Sequence, residues 1–143
     1  ERAENTGAAA AAIELPDGKI LTGKTSNLLG PSAALILNAL KDLAGIDHNL
    51  HVISPTAIEP IQKVKTQYLG SKNPRLHIDE ILIALSISSA ANPAAQLAME
   101  QLPKLKGCQV HTSVMLSSVD IKLFKKLGIQ LTCEPKYEHN PIY

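Results

Sequence analysis

Gly18-Lys19-Ile20-Leu21-Thr22-Gly23-Lys24-Thr25 spells, letter for letter, the pattern G-x-x-x-x-G-K-[ST] with which nucleotide-binding proteins cradle phosphates. That chemistry needs a pliable run of backbone N–H groups between a buried strand and a helix opening at the Lys-Thr end. Here the surroundings are inverted. Upstream, Pro16-Asp17-Gly18 separates two apolar runs and reads as a turn, where proline presets φ and glycine accepts a positive one. The four variable positions, Lys19 to Thr22, hold no glycine and two β-branched residues, which suits a strand better than an anion cradle. Downstream, Ser26-Asn27-Leu28-Leu29-Gly30 intervenes before Pro31, the first good helix start. Gly18 therefore belongs to a hairpin turn, Ile20 and Leu21 to its second strand, and Gly23 to the end of that strand.

The other reactive residue types are scattered. The five histidines, His48, His51, His77, His111 and His139, show no i,i+4 pair and no neighbouring acid at ligand spacing. His51 and His111 would meet only if their segments were adjacent strands, so structural roles are expected. Ser86, Ser88 and Ser89 lie in a small-residue helical stretch without the G-x-S-x-G elbow of a nucleophile. Cys108 and Cys133 lack Cys-x-x-Cys spacing and read as buried free thiols of a reducing compartment. They fall at opposite ends of expected parallel neighbours, which argues against a disulfide or a shared metal. No metal and no cofactor are expected. What remains is a positional argument. In open α/β sheets ligands collect beyond the carboxyl ends of strands, where helix N-termini offer unpaired N–H groups. By that rule Lys24, Thr25, Ser26, Asn27, Ser54, Thr56, Ser117 and Ser118 form a candidate anion- or phosphate-binding cluster. The same residue types are what caps require, so Thr56, Ser117 and Ser118 also read as helix caps and the others as polar loop.

The elements that must position these residues alternate between strand and helix. After the hairpin, Pro31 to Ala44 reads as a helix, with proline at its start and Gly45 just past its end. Its apolar residues cover more than one stripe, as expected for a helix between a sheet and other helices. Leu50-His51-Val52-Ile53 reads as a short buried strand ended by Ser54-Pro55, and Thr56 as the cap of a helix to about Leu69. Gly70 to Arg75 is a loop. Asp79 to Ala91 is a strongly apolar helix broken by Asn92-Pro93, which in turn caps a helix to about Leu102. Ala84, Ser88, Ala90, Ala91, Ala94, Ala95 and Ala98 crowd that junction and allow close approach of another helix, from this chain or from a second copy. Cys108 to Leu116 reads as a strand, Ser117 to Leu127 as a helix with a capping box, and Ile129 to Cys133 as a last strand. The final β-α-β unit is expected to be parallel and right-handed. The order predicts an α/β three-layer sandwich: a mixed sheet, built from an N-terminal β-hairpin and parallel strands, with helices on both faces.

Composition closes several function classes. Fourteen basic against thirteen acidic residues give a net charge of +1, and one Phe, three Tyr and no Trp leave no stacking platform, so nucleic acid is not an expected partner. No apolar run reaches membrane-spanning length and no signal peptide is read, which predicts a cytoplasmic protein without a membrane partner. At 143 residues the chain fits one domain, 1–143. Because Glu1 reads as lying within the tail of a helix or linker, the domain is expected to be a fragment of something longer.

The element order is similar to the cytidine-deaminase-like architecture. There the helix after the hairpin starts with His-x-Glu, and the next strand runs into Pro-Cys-x-x-Cys. The first motif falls at Gly30-Pro31-Ser32, which offers no ligand and no general acid. The second falls at Pro55-Thr56-Ala57-Ile58-Glu59, where the proline stands without either cysteine. In wording, Ala-Ala-Ile-Glu-Leu-Pro-Asp-Gly-Lys-Ile, Leu-Asn-Ala-Leu-Lys-Asp-Leu-Ala-Gly-Ile and Ile-Ala-Leu-Ser-Ile-Ser-Ser-Ala-Ala-Asn-Pro-Ala-Ala-Gln-Leu-Ala resemble the C-terminal region of a bacterial family catalogued as domain of unknown function 1846. The resemblance covers nearly the whole chain. It implies a cytoplasmic protein roughly three times longer, in which this piece is a deaminase-like C-terminal domain whose first partner is the N-terminal region of its own chain. Two readings follow. One is a catalytically silent domain that serves structure and assembly, including a homo-oligomer through its Ala/Ser-rich helices. The other is one wall of a site for a phosphorylated small molecule, with the chemistry on the preceding region.

Overall fold

A computed structural model describes residues 10–133. His139 and the alanines Ala8 and Ala9 therefore lie outside the described residues. Strands β1 (Ala10–Glu14) and β2 (Ile20–Lys24) form the expected hairpin. The Lys19 carbonyl accepts from the Leu15 N–H at 2.8 Å, and Gly18 turns the chain at φ +89°. Helix α1 (Pro31–Leu43) follows, then α2 (Pro55–Lys63), which widens into a π-helical turn over Val64–Tyr68. Helices α3 (Ile78–Ser88) and α4 (Pro93–Glu100) form the apolar pair, and a short 3-10 turn covers Leu102–Leu105. Strand β3 (Gln109–Thr112), helix α5 (Ser118–Lys126) and strand β4 (Gln130–Cys133) complete the order.

The sheet runs β2-β1-β3-β4, antiparallel between β2, β1 and β3 and parallel between β3 and β4, as expected for the last unit. Register sorts its side chains without ambiguity. Leu21, Gly23, Ala11, Ile13, Val110, Thr112, Leu131 and Cys133 share one face, which packs on the helices. Helix α1 lies on β1 and β2, and α5 lies on β4, while α3 and α4 stack behind them. Leu35, Ile36, Leu40, Leu76, Ile78, Ile81, Leu85 and Phe124 fill the space between at 0 % exposure. Each such side chain contributes about 1.5–3 kcal/mol by leaving water. Ala84, Ala95 and Ala98 are buried in the same cluster, so these small residues serve close helix packing within the chain.

Gly23 explains its own place in the phosphate-loop pattern. A β-carbon there would stand 2.6 Å from the Leu35 nitrogen and 2.6 Å from the Pro31 carbonyl oxygen. The residue is glycine because strand β2 and helix α1 touch backbone to backbone.

Four expectations need correction. Among the described residues the helices occupy one face of the sheet, not both: Glu14, Ile20, Thr22, Gln109, His111, Gln130 and Thr132 on the other face are exposed. The alternation of polar and apolar residues in β3 and β4 already carried that signal. Leu50 to Ile53 is not a strand. The Asp47 carboxylate accepts from Asn49 N–H at 2.8 Å and the Asp47 carbonyl from Leu50 N–H at 3.0 Å. That turn consumes the start of the segment, so Val52 and Ile53 plug the core from a bend, and His51 has no strand on which to meet His111. The cap of α2 is Ser54 rather than Thr56, its hydroxyl accepting from Thr56 N–H at 3.2 Å. Strand β3 ends at Thr112 instead of Leu116, because the Thr112 hydroxyl and the Cys133 thiol both donate to the Val114 carbonyl at 2.9 Å.

Candidate functional site

Two loops meet beside the start of α1. Leu76 N–H donates to the Leu28 carbonyl at 2.9 Å, Gly30 N–H to the Leu76 carbonyl at 3.1 Å, and Arg75 Nε to the Ser26 carbonyl at 2.6 Å. This clamp aligns residues 26–30 with residues 73–77 and brings the N-termini of α1 and α3 together. The segment before α5 closes the other side. The result is a cavity of about 400 Å³, lined among others by Gly30, Arg75, His77, Ser117 and Asp120. Gly30, His77 and Ser117 are the N-cap residues of α1, α3 and α5. Three helix N-termini thus face one cavity, each the positive end of a helix dipole; side chains already take N–H groups at the starts of α3 and α5, and no side chain caps α1.

The electrostatics of the cavity are set by a buried acid and a guanidinium. Asp120 is 5 % exposed, and its carboxylate accepts from Ile78 N–H at 3.0 Å, pinning α5 to the first turn of α3. Burial pushes its carboxyl above the ordinary aspartate value, against the opposing pull of the Ile78 hydrogen bond and the His77 charge. Behind it, Glu80 accepts from His77 N–H at 2.8 Å and from Lys65 Nζ at 2.9 Å. Lys65, its stem buried, also donates to the Arg75 carbonyl at 2.6 Å. The π-helical turn after α2 carries Lys65, and such widened turns recur at functional sites. The His77 ring lies 3.6 Å from Glu80, so this histidine does have an acidic neighbour, three residues along the helix.

The eight residues singled out from the sequence separate in space. Ser117 lines the cavity, with its hydroxyl accepting from Asp120 N–H at 3.2 Å. Ser118 is the exposed first residue of α5. Ser26 does not line the cavity: its carbonyl accepts from Arg75 Nε, and its hydroxyl accepts from Leu28 and Leu29 N–H at 3.2 and 3.1 Å. The Asn27 carbonyl accepts from the Gln62 side chain at 2.8 Å. Lys24 ends β2, followed by half-buried Thr25, directly after the Gly23 contact with α1. Ser54 and Thr56 are tied to each other, hydroxyl to hydroxyl at 2.7 Å, at the start of α2. Neither lines the cavity. Asn73, Arg75, His77 and Asp120 do, and they carried no motif: the first two sit in what reads as a plain loop, and His-x-x-Glu at a helix start reads as capping.

Among the described residues, no three His, Cys, Asp or Glu side chains come together as a metal set, and no helix is long and apolar enough to cross a membrane. Both cysteines are free thiols.

The profile of the family described as domain of unknown function DUF1846, C-terminal, matches residues 1–143. A UPF0371 protein of Corynebacterium glutamicum is 57 % identical over 140 residues, which is 98 % of this chain and 28 % of that protein. A UPF0371 protein of Streptococcus uberis is 49 % identical over 143 residues, the whole of this chain and 29 % of that protein. The chain thus spans under a third of the length of these bacterial relatives. It belongs to the DUF1846 family, whose C-terminal domain its sequence matches from end to end.

Proposed function

We propose that this domain forms one wall of a site for a phosphorylated small molecule, the remaining walls and the chemistry coming from the rest of a longer polypeptide. One observation carries the reading: the N-caps of three helices and the Arg75 guanidinium line a single cavity. Phosphate oxygens match both partners, since helix N-termini present backbone N–H groups and arginine presents a planar fork. Two features support it. No side chain caps α1, so its first-turn donors are not engaged by one, and Gly30 lets a ligand approach the backbone. The Asp120 carboxylate, the one acid lining the cavity, is turned to the Ile78 N–H, and burial favours its neutral form.

The test is titration of the full-length protein with inorganic phosphate and pyrophosphate, followed by calorimetry and by amide NMR shifts. Arg75→Ala should weaken binding roughly 10- to 100-fold, the loss of one charge-assisted hydrogen bond. Arg75→Lys should recover part of it. Absence of shifts in residues 28–34, 75–80 and 116–121 would sink the proposal.

A second reading, a catalytically silent deaminase-like scaffold, is supported by where its two motif positions fall. Gly30–Ser32 opens the helix after the hairpin and Pro55–Glu59 opens the next helix, with neither His nor Cys at either place. The missing strand before Pro55 stands against it.

A further inference from the structure

The outer face of the sheet is left uncovered by the helices and carries little net charge. Register places Ala12, Glu14, Ile20, Thr22, Lys24, Gln109, His111, Gln130 and Thr132 there, so among the described residues this face carries one carboxylate, Glu14, and one ammonium, Lys24, at opposite ends of the hairpin. Ile20 is 65 % exposed on this face, and Ala12, Ile20, His111 and Thr132 border a depression of about 220 Å³. One of the sheet's three strand pairings, β3 with β4, is parallel, and parallel strands are normally covered on both faces. Here the helices of the described residues cover one.

We infer that the outer face is the docking surface for the preceding part of the same full-length polypeptide, which supplies the second layer over the sheet. The size of that part supports this occupant: the chain accounts for 28 % of its Corynebacterium glutamicum relative, and the matching profile is a C-terminal one. Covalent attachment holds such a partner at an effective concentration of order mM, above that of a separate second copy. With one acid, one lysine and otherwise neutral Thr, Gln, His, Ala and Ile side chains, the face suits a hydrogen-bonding and apolar partner rather than a strongly charged one. This surface is separate from the three-helix cavity, so either proposal can fail without the other.

The experiment uses the full-length protein with single added cysteines, Thr22→Cys or Gln109→Cys. Both side chains are exposed within this domain, so the substitutions leave its core intact. Maleimide labelling is measured against a short unstructured cysteine peptide, after subtracting the parent's own reaction at Cys108 and Cys133. The inference expects labelling at least tenfold slower than the peptide and independent of protein concentration. Rates equal to the peptide's overturn it. Protection that disappears on dilution also overturns it, because the cover is then a second copy. Hydroxyl-radical footprinting of the unmodified protein guards against a cysteine that loosens the contact. Ile20 and His111 should be protected relative to the urea-unfolded chain, and equal oxidation in both states counts against the inference.

Discussion

Replacing Gly23 by alanine tests the packing of β2 on α1, and with it the reason for the second glycine of the phosphate-loop pattern. The new methyl would meet the Leu35 nitrogen and the Pro31 carbonyl at 2.6 Å and the Leu35 α-carbon at 2.8 Å. Comfortable contacts between such atoms begin near 3.5 Å, so strand and helix must part by roughly 1 Å. All three atoms are backbone, and no side chain can swing aside. Helix α1 is held from behind by Leu35, Ile36, Ala39 and Leu40, each at 0 % exposure, so lifting it opens gaps along its buried face. Overpacking ordinarily costs 1–3 kcal/mol, and a rigid obstacle places this case at about 3 kcal/mol. For a domain of this size that corresponds to a melting point lowered by roughly 10 °C. Gly18→Ala is the internal comparison: its β-carbon meets nothing within 4 Å, but φ is +89°. The strain of that conformation costs about 1–2 kcal/mol. Urea unfolding followed by circular dichroism ranks the two. If Gly23→Ala lies within about 0.5 kcal/mol of the parent, or above Gly18→Ala, the close-contact argument is wrong.

Two further substitutions probe the cavity's frame. Burial raises the Asp120 pKa above its unfolded value, so the native state holds that proton more tightly, and the associated stability fades as pH rises through the raised value. Asp120→Asn keeps an acceptor for Ile78 N–H without the charge. It should therefore gain on the parent as pH climbs from about 4 towards neutrality, and a pH-independent difference in unfolding free energy would contradict this. Lys65→Met retains the buried stem but removes the ammonium that serves both the Arg75 carbonyl and Glu80. With Glu80 a quarter exposed, the loss should be about 2 kcal/mol, below that of a fully buried pair, with weaker phosphate binding as the Arg75 segment loosens. Unchanged stability and unchanged phosphate affinity would show that Lys65 does not hold the site.

Much of the architecture was legible because it follows from local chemistry. Pro16-Asp17-Gly18 makes a turn wherever two strands flank it, and the hairpin formed as read. Pro31, Asn92-Pro93 and Ser117 set helix starts through φ restriction and capping, which depend on nearest neighbours. The segment Leu50 to Ile53 is ambiguous as sequence because its three apolar residues, Leu50, Val52 and Ile53, suit a buried strand and a core-plugging bend alike. Only a partner strand separates the two, and none pairs with it among the described residues.

From the sequence alone came the rejection of the phosphate loop, the mixed α/β class, the family and the absence of a complete reaction motif. Tertiary structure decided where polar groups meet. Arg75, His77 and Asp120 span 45 positions of chain, and no spacing rule joins them; the bonds from Leu76, Gly30 and Arg75 across two loops do. The same holds for Gly23, whose necessity comes from an α1 backbone eight or more residues away. Turns and caps are written in adjacent residues, whereas a cavity and a close contact exist only once distant segments are packed.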